Sequence, residues 1–376
     1  MDDFSAPRQV SPILTEIPRI APAPVYAPGY AAPSHAPLSG LRTRHVVLFL
    51  LTLLTTTMAG ADMAGAFVSL AHPIASLGNL YAGLSFSIPL MAILLAHEMG
   101  HYVVARRHHV DVTPPYFIPA PFPSIFFIGT FGAFIQMKSP ARTRRAMFDI
   151  GAAGPWAGMM IALPLVIIGL KLSEVAPLDN SAGGLQLGNS ILFWGVSYLV
   201  LGVDPNAVNV NLHPLAFAGW LGLLVTTLNL LPVGQLDGGH VIYALFGRRH
   251  RMISRLFILG CVLMVFVPIV LGASFWAGWL LWVILLLFLG IGHPASIDAE
   301  SPLDGRRRAM AWATVLLFVL TFTPVPFSYV APSPNSGPNQ NQTPGGQPSS
   351  TPDNTFSVMH RLPGRITPAP VREHRV

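Results

Sequence analysis

One hydrophobic segment of the chain carries His97, Glu98 and His101. Two histidines four positions apart on a helix lie about 40° apart around its axis and about 6 Å apart along it, so both imidazoles can bind one metal ion. Glu98, next to the first histidine, can hold a water molecule at that ion and act as its general base, which is the arrangement of zinc hydrolases. The alternative is that the three are polar helix-packing residues near the membrane interface.

A catalytic zinc ion takes three protein ligands and keeps one position open. Residues near the bilayer that can supply the third ligand are Asp62, Asp149, Asp237, His213, His240 and His293. Asp237 is favoured because Pro232 ends the helix before it, and two glycines after it allow unusual backbone angles. A broken helix can then direct the carboxylate inward, whereas the alternative is a plain Asp-Gly turn.

Two further polar residues are candidates for a supporting role. Asp149 begins a predicted span beside Gly151 and Gly154, a small-residue surface suited to close helix contact. We expect it to be structural, with a hydrogen bond to a ligand histidine as the alternative. His240 lies three residues after Asp237 and is predicted to tune the site or line its entrance.

The composition places these residues in a membrane protein. Of 376 residues, 52% are hydrophobic and 10% are charged, which excludes an ordinary water-soluble domain. The single cysteine, Cys261, excludes a disulfide framework and a cysteine-rich zinc finger. The net charge of +6 comes from arginines set between long apolar runs, which indicates a membrane surface and not a nucleic acid partner.

The expected fold class is an all-α polytopic membrane protein with about seven transmembrane helices. Segments long and apolar enough, or nearly so, lie at residues 45–66, 80–104, 147–170, 214–231, 253–272, 275–292 and 309–326. The run at 191–201 is half the required length and is predicted to be interfacial or re-entrant. A membrane domain at 45–326 is thus predicted between disordered, Pro-rich ends at 1–40 and 331–376.

The distribution of Lys and Arg predicts the orientation. With the N-terminus inside, seventeen basic residues before the tail fall on inner segments, and Lys171 alone falls outside. Arg106 and Arg107 follow the histidine motif closely, which places the metal site toward the cytoplasmic side. We expect an integral, multi-pass protein of a bacterial plasma membrane, with a cytoplasmic N-terminus.

The two motifs together resemble a known family. His97-Glu98-x-x-His101 in one hydrophobic segment, and Asn229-x-x-Pro232 running into Leu236-Asp237-Gly238 in a later one, resemble the M50-type site-2 proteases, which are intramembrane zinc metalloproteases. The intervening Pro114-Pro115-Tyr-Phe-Ile-Pro119 and Phe148-Asp149-Ile-Gly-Ala-Ala-Gly154-Pro155 are similar to the branch with the plastid ethylene-dependent gravitropism-deficient and yellow-green proteins and bacterial relatives. The resemblance covers about residues 80–250.

The resemblance implies that one zinc ion per chain binds His97, His101 and Asp237, that Glu98 activates the water and that Asn229 assists substrate or oxyanion binding. It also implies a catalytic core at about 80–250, built from the second, third and fourth spans. The substrate would be the transmembrane helix of another membrane protein within the lipid bilayer. The alternatives are a catalytically silent scaffold of the same fold and a metal or proton transporter.

The stretch between the second and third spans is rich in aromatic and β-favouring residues. We expect part of it, including Gly129, Phe131 and Gly132, to form a short membrane-inserted strand whose edge pairs with the unwound substrate. An aromatic interfacial loop that only caps the cavity is the alternative.

Overall fold

The computed structural model describes residues 40–66, 73–121, 126–177, 184–272, 275–290, 302–330 and 356–357. Its helices are α1 (Thr43–Met63), α2 (Pro73–Arg107), α3 (Arg144–Lys171), α4 (Ile191–Leu201), α5 (Pro214–Asn229), α6 (Asp237–Phe246), α7 (His250–Leu271), α8 (Gly278–Leu289) and α9 (Gly305–Thr321), with a 3₁₀ turn at Gly247–Arg249. Its strands are β1 (Tyr116–Pro119), β2 (Thr130–Phe134), β3 (Glu174–Pro177), β4 (Gly184–Leu187), β5 (Val208–Asn211), β6 (Phe327–Val330) and β7 (Phe356–Ser357). The protein is therefore mostly helical.

Several of these helices can cross a membrane. Within the described ranges, the helices long and apolar enough are Thr43–Met63, Leu77–Arg107, Arg144–Lys171 and Asp237–Leu271, the last joining α6 and α7. The predicted spans at 214–231, 275–292 and 309–326 correspond to α5, α8 and α9, which have 16, 12 and 17 residues. These are shorter than the roughly 20 residues that one crossing needs. The count of seven spans is thus not confirmed. Residues 191–201 form a short apolar helix, and their interfacial or re-entrant position stays a prediction.

The centre of the bundle is formed by α2, α3 and α5, which pack on one another. Their facing surfaces are apolar, and Phe86 of α2, Val166 of α3 and Phe217 of α5 are buried there. The rings of Phe86 and Phe217 stack with centroids 5.6 Å apart. Large apolar side chains from three helices therefore fix the positions of α2 and α5, the two helices that carry the site motifs.

A bend separates α5 from α6, because α5 ends at Asn229 and α6 begins at Asp237. Pro232 lies in the bend, where its missing N–H and fixed ring prevent a continuous helix. The Pro232 carbonyl accepts a hydrogen bond from the buried Ser254 hydroxyl of α7 at 2.7 Å. Protein groups thus satisfy the irregular backbone, as they must where lipid surrounds the molecule.

Two small sheets accompany the helices, and the second of them was not predicted. β1 and β2 form an antiparallel pair in which Tyr116 lies opposite Phe134. A second sheet has the strand order β3-β5-β7-β4-β6, and only β5 and β7 run parallel. This sheet is not predictable from the sequence, because strands of two to four residues are too short for a visible alternating pattern.

The predicted disordered ends lie almost entirely outside the described residues. Of 1–40 the structure describes only residue 40, and of 331–376 only Phe356 and Ser357. These two residues form β7 and pair with β4 and β5. The disorder expected for the two ends stays a prediction.

Candidate active site

Two histidines and a glutamate lie on the inward face of α2. His97, Glu98 and His101 are only 4%, 7% and 7% exposed. The i, i+4 spacing stacks the two imidazoles one helical turn apart, with ring centroids separated by 4.8 Å. Their Nε2 atoms are 3.1 Å apart, so both point at one small volume.

Asp237 completes the cluster from the first turn of α6. Its Oδ2 atom lies 3.4 Å from His97 Nε2 and 3.1 Å from His101 Nε2. The two glycines that follow it are needed for this placement: a methyl group at Gly238 would overlap the Leu230 carbonyl, and one at Gly239 would overlap the Gly234 carbonyl. Only residues without a side chain allow the start of α6 to fold this closely onto the bend.

The spacing of the three donor atoms fits a zinc ion. Tetrahedral coordination with bonds of about 2.0–2.1 Å separates the ligand atoms by about 3.3 Å. The observed separations of 3.1, 3.1 and 3.4 Å match that edge length. Two imidazole nitrogens and one carboxylate oxygen are also a donor set that zinc prefers, and three protein ligands leave a fourth position open.

The α3 helix makes room for the histidines with a line of glycines. A methyl group at Gly154 would overlap the His101 ring, one at Gly158 would touch His97 at 3.3 Å, and one at Gly151 would lie 2.8 Å from His240 Cβ. The Ile150 carbonyl of the same helix lies 2.8 Å from His101 Nδ1. That contact leaves Nε2 facing the cluster and holds the ring in one orientation.

A cavity of about 700 Å³ opens from this cluster. Its wall includes Glu98, Asn229, His240 and the chain from Ala133 to Met137. The Asn229 amide nitrogen lies 3.2 Å from His97 Nε2, and the Glu98 carboxylate hydrogen-bonds to the backbone of Ile135. A peptide that enters the cavity therefore meets a carboxylate, an amide and a candidate metal site together.

Asp149 bonds to Arg307 and His108 and not to His97 or His101. The carboxylate of Asp149 accepts two hydrogen bonds from Arg307 of α9, at 2.8 and 2.7 Å, and its Oδ2 lies 2.9 Å from His108 Nε2. Instead of bonding to a ligand histidine, it ties the end of α2 and the start of α9 to α3. The histidine contact is made by the backbone of the next residue, Ile150.

The other sequence candidates are divided between the cavity and its surroundings. His240 lines the cavity, whereas His213 caps the N-terminus of α5 and accepts a hydrogen bond from Leu215. Asp62 lies in the last turn of α1, and residue 293 lies outside the described part of the chain.

The predicted strand residues lie just before the part of β2 that faces the cavity. Gly129 accepts a hydrogen bond from the Thr55 hydroxyl of α1 at 2.7 Å, and the Phe131 ring packs on Phe126. The N–H of Gly132 donates to Thr130 Oγ1. The cavity wall begins at Ala133.

Sequence reasoning also missed residues that the fold brings to this site. Arg44 of α1 and Tyr116 of β1 line the cavity. In the sequence, Arg44 lies 53 positions before His97 and Tyr116 lies 19 positions after it. No local pattern links them to the histidine motif. The spacing of Gly151, Gly154 and Gly158 was a usable signal, because three glycines on one helix face indicate that something bulky packs there.

The chain is similar to proteins named as probable zinc metalloproteases. A profile of peptidase family M50 matches residues 85–272. The probable zinc metalloprotease EGY1, chloroplastic, of Oryza sativa subsp. japonica is 35% identical over 63% of this chain and 40% of its own length. The Arabidopsis thaliana EGY1 protein is 33% identical over 65% and 43%, and the EGY2 protein of that plant is 28% identical over 76% and 48%.

The chain spans less than half the length of these curated relatives. No solved structure matches it. The family profile nevertheless covers half of the chain, including the histidine motif on α2, the bend and Asp237. From this match and the resemblance of its motifs, the chain belongs to peptidase family M50, the site-2 protease family.

Proposed function

We propose that the chain is a zinc-dependent endopeptidase that cleaves transmembrane helices of other membrane proteins. The observation that carries the proposal is the cluster of three donor atoms 3.1–3.4 Å apart, with Glu98 beside it, inside a bundle of apolar helices. Relatives named as probable zinc metalloproteases support the same activity.

In this proposal His97, His101 and Asp237 hold one zinc ion per chain. When bound, the ion would supply Lewis-acid polarisation of the scissile carbonyl and of the attacking water. The three side chains are held for that task by separate elements: α2 carries the histidines, α6 carries the aspartate, and the Ile150 carbonyl orients His101.

Glu98 is the proton carrier of the proposed reaction. A carboxylate beside the ligand cluster takes a proton from the attacking water and passes it to the nitrogen of the leaving amine. Burial of Glu98 and its hydrogen bond to the Ile135 backbone hold the carboxylate at the cavity wall. The same side chain therefore serves as base and then as acid.

Asn229 is placed to stabilise the charge that develops on the substrate. Its amide nitrogen lies 3.2 Å from His97 Nε2, and so within reach of a carbonyl oxygen bound at the cluster. A fixed amide donor aimed at a developing oxyanion is a common source of transition-state stabilisation.

The edge of β2 is proposed to bind the substrate as an added strand. The Gln136 backbone bonds to Thr113, on the side of the strand away from the cavity. Because successive residues of a strand alternate in direction, the backbone groups of Ile135 and Ala133 face the cavity. The Ile135 contact with Glu98 agrees with that direction. An unwound substrate segment pairing there would lie next to the proposed zinc site.

The chain is an integral membrane protein, and we propose that its site opens toward the cytoplasm. In support, the ion pair between Arg307 and Asp149 holds the basic start of α9 close to the basic start of α3. Both helix starts are predicted to lie on the inner side of the membrane, so they should be near each other. A reporter fused at position 1 that is accessible from the outer side would contradict this orientation. A bacterial plasma membrane remains a prediction of the sequence.

The test of the activity is zinc content together with cleavage of a model transmembrane substrate, for the purified wild type and Glu98→Gln. Glutamine keeps the size of the side chain but cannot accept a proton. We expect both proteins to retain one zinc ion per chain and cleavage by the variant to fall at least 100-fold, the low end of general acid–base contributions.

Asp237→Asn is the matched variant on the ligand side, and we expect it to lose zinc and cleavage together. Equal cleavage by wild type and Glu98→Gln would refute Glu98 as the base. Zinc binding without cleavage by the wild type would favour the scaffold, and zinc flux across vesicles without cleavage would favour the transporter.

A further inference from the structure

A basic side chain lies on the wall of the cavity that holds the candidate zinc site. Arg44, the second residue of α1, lines this cavity together with Glu98 and Asp237. Among the described residues it is the one Lys or Arg on that wall. The charge is unexpected at a site whose other charged groups are concentrated at the metal cluster.

Arg44 lies against an aromatic ring. Its guanidinium carbon lies 5.1 Å from the centroid of the Tyr116 ring, a cation–π contact. The Tyr116 ring is itself fixed by His45 at 4.3 Å and by Phe134 at 5.4 Å. The guanidinium therefore has a defined position beside β2.

Arg44 forms no ion pair among the residues that the structure describes. Within the described ranges no carboxylate lies within 4.0 Å of its guanidinium, since the ion pairs there involve other residues. A planar guanidinium presents donors in a fork that matches a carboxylate. A cation that is positioned by a ring face but has no acid partner suits an anionic group of a bound ligand.

The dimensions of the cavity relate this cation to the proposed reaction centre. A sphere of 700 Å³ is about 11 Å across, and an extended peptide advances about 3.3–3.6 Å per residue. A peptide lying along β2 from the cluster would thus pass Arg44 within about three or four residues. Phe134 connects the two places, because it belongs to β2 and stacks on Tyr116.

We propose that Arg44 is a specificity-determining residue that binds an acidic side chain of the substrate, about three or four residues from the cleaved bond. The inference rests on the proposed proteolytic function and deepens it. Arg44 would favour substrates that carry Asp or Glu at the matching position where the transmembrane segment leaves the bilayer.

The experiment uses a set of model transmembrane peptides that place Asp, Asn or Lys at each position within five residues of the cleaved bond. Cleavage by the wild type, Arg44→Gln and Arg44→Glu is measured as kcat/KM in a detergent without anionic lipid. We expect the wild type to prefer Asp over Asn about tenfold at one position, Arg44→Gln to lose this preference, and Arg44→Glu to prefer Lys there.

Arg106→Gln is the matched control. Arg106 also lies over a tyrosine ring, at 5.5 Å from the centroid of Tyr102, but it is not on the cavity wall. We expect its variant to keep the wild-type preference, because the same loss of charge and cation–π contact occurs away from the proposed peptide path.

Binding of the Asp and Asn peptides by fluorescence anisotropy gives a second readout that does not require catalysis. The proposal would be overturned if the wild type bound both peptides with equal affinity. It would also be overturned if Arg44→Gln kept the preference for Asp, which would indicate that the acid binds at the zinc cluster instead. An effect of Arg44 that requires anionic lipid would also overturn it in favour of a headgroup contact. Absence of all cleavage by the wild type would refute the proposed activity, while the anisotropy result would still decide the role of Arg44.

Discussion

The close packing of α3 against the candidate zinc site makes a defined prediction for Gly154→Ala. The new methyl carbon would overlap the His101 ring and lie 2.5 Å from its Cε1 atom. An ordinary carbon contact needs about 3.5–4.0 Å, and His101 Nε2 and Cδ2 would be closer still, so the ring or the helix must move by at least about 1 Å. The ring cannot turn freely, because its Nδ1 atom is held by the Ile150 carbonyl at 2.8 Å.

A shift of about 1 Å is large for a metal site, where ligand distances are set to within about 0.2 Å. We therefore expect zinc affinity and kcat/KM each to fall at least 10- to 100-fold, the range observed when the support of a ligand is lost. Overpacking of this kind also costs about 1–3 kcal/mol of stability.

A series of Gly→Ala variants separates the site effect from a general effect of the methyl group. Gly158→Ala brings its methyl only to 3.3 Å from His97, so we expect a loss of less than about fivefold. Gly260→Ala on α7 has no atom within 4 Å and should match the wild type or be slightly more stable.

The assay is competition for zinc with a calibrated chelator, followed by cleavage of a model substrate at saturating zinc and by the midpoint of thermal unfolding in detergent. Wild-type zinc affinity and cleavage in Gly154→Ala would refute the contact between α3 and the histidine as described. An equal loss in Gly260→Ala would show that the series reports helix substitution in general and not the site.

Two other contacts can be tested with the same purified protein. Asp149→Asn and Arg307→Gln should each lower the midpoint of thermal unfolding by a few degrees. Because the two residues share two hydrogen bonds, the double variant should lower the midpoint by less than the sum of the single losses. Additive losses would contradict a coupled pair. Ala133→Pro removes one N–H from the proposed substrate edge and should lower kcat/KM about fivefold with zinc retained, since a neutral hydrogen bond contributes about 1 kcal/mol. Ala133→Gly keeps that N–H and serves as its control, and unchanged cleavage in the proline variant would refute strand pairing.

Local patterns were enough to predict the parts of the site that lie on single segments. His97 and His101 face the same volume because four residues make about one helical turn, whatever surrounds the helix. Asp237 was also predicted from nearby residues, since Pro232 must interrupt the helix and the glycines after it allow a tight fold. The main helices followed from the length of their apolar runs.

Contacts between distant segments were beyond the reach of those patterns. The five-stranded sheet joins short segments from residue 174 to residue 357, and its strands carry no period of their own. The sequence predicts a structural role for Asp149 but not its partner, because Arg307 is 158 positions away. The arginine had been interpreted only as a marker of the inner membrane side.

What the sequence determined by itself is therefore the set of candidate chemical groups: two imidazoles and two carboxylates in an apolar chain that belongs in a membrane. The tertiary structure decided how those groups are held. Packing of α3 against α2 set the ring of His101 against Gly154 and Ile150, and the approach of α1 to β1 placed Arg44 at the cavity. These contacts depend on which helix faces lie together, a property of the folded bundle and not of any one segment.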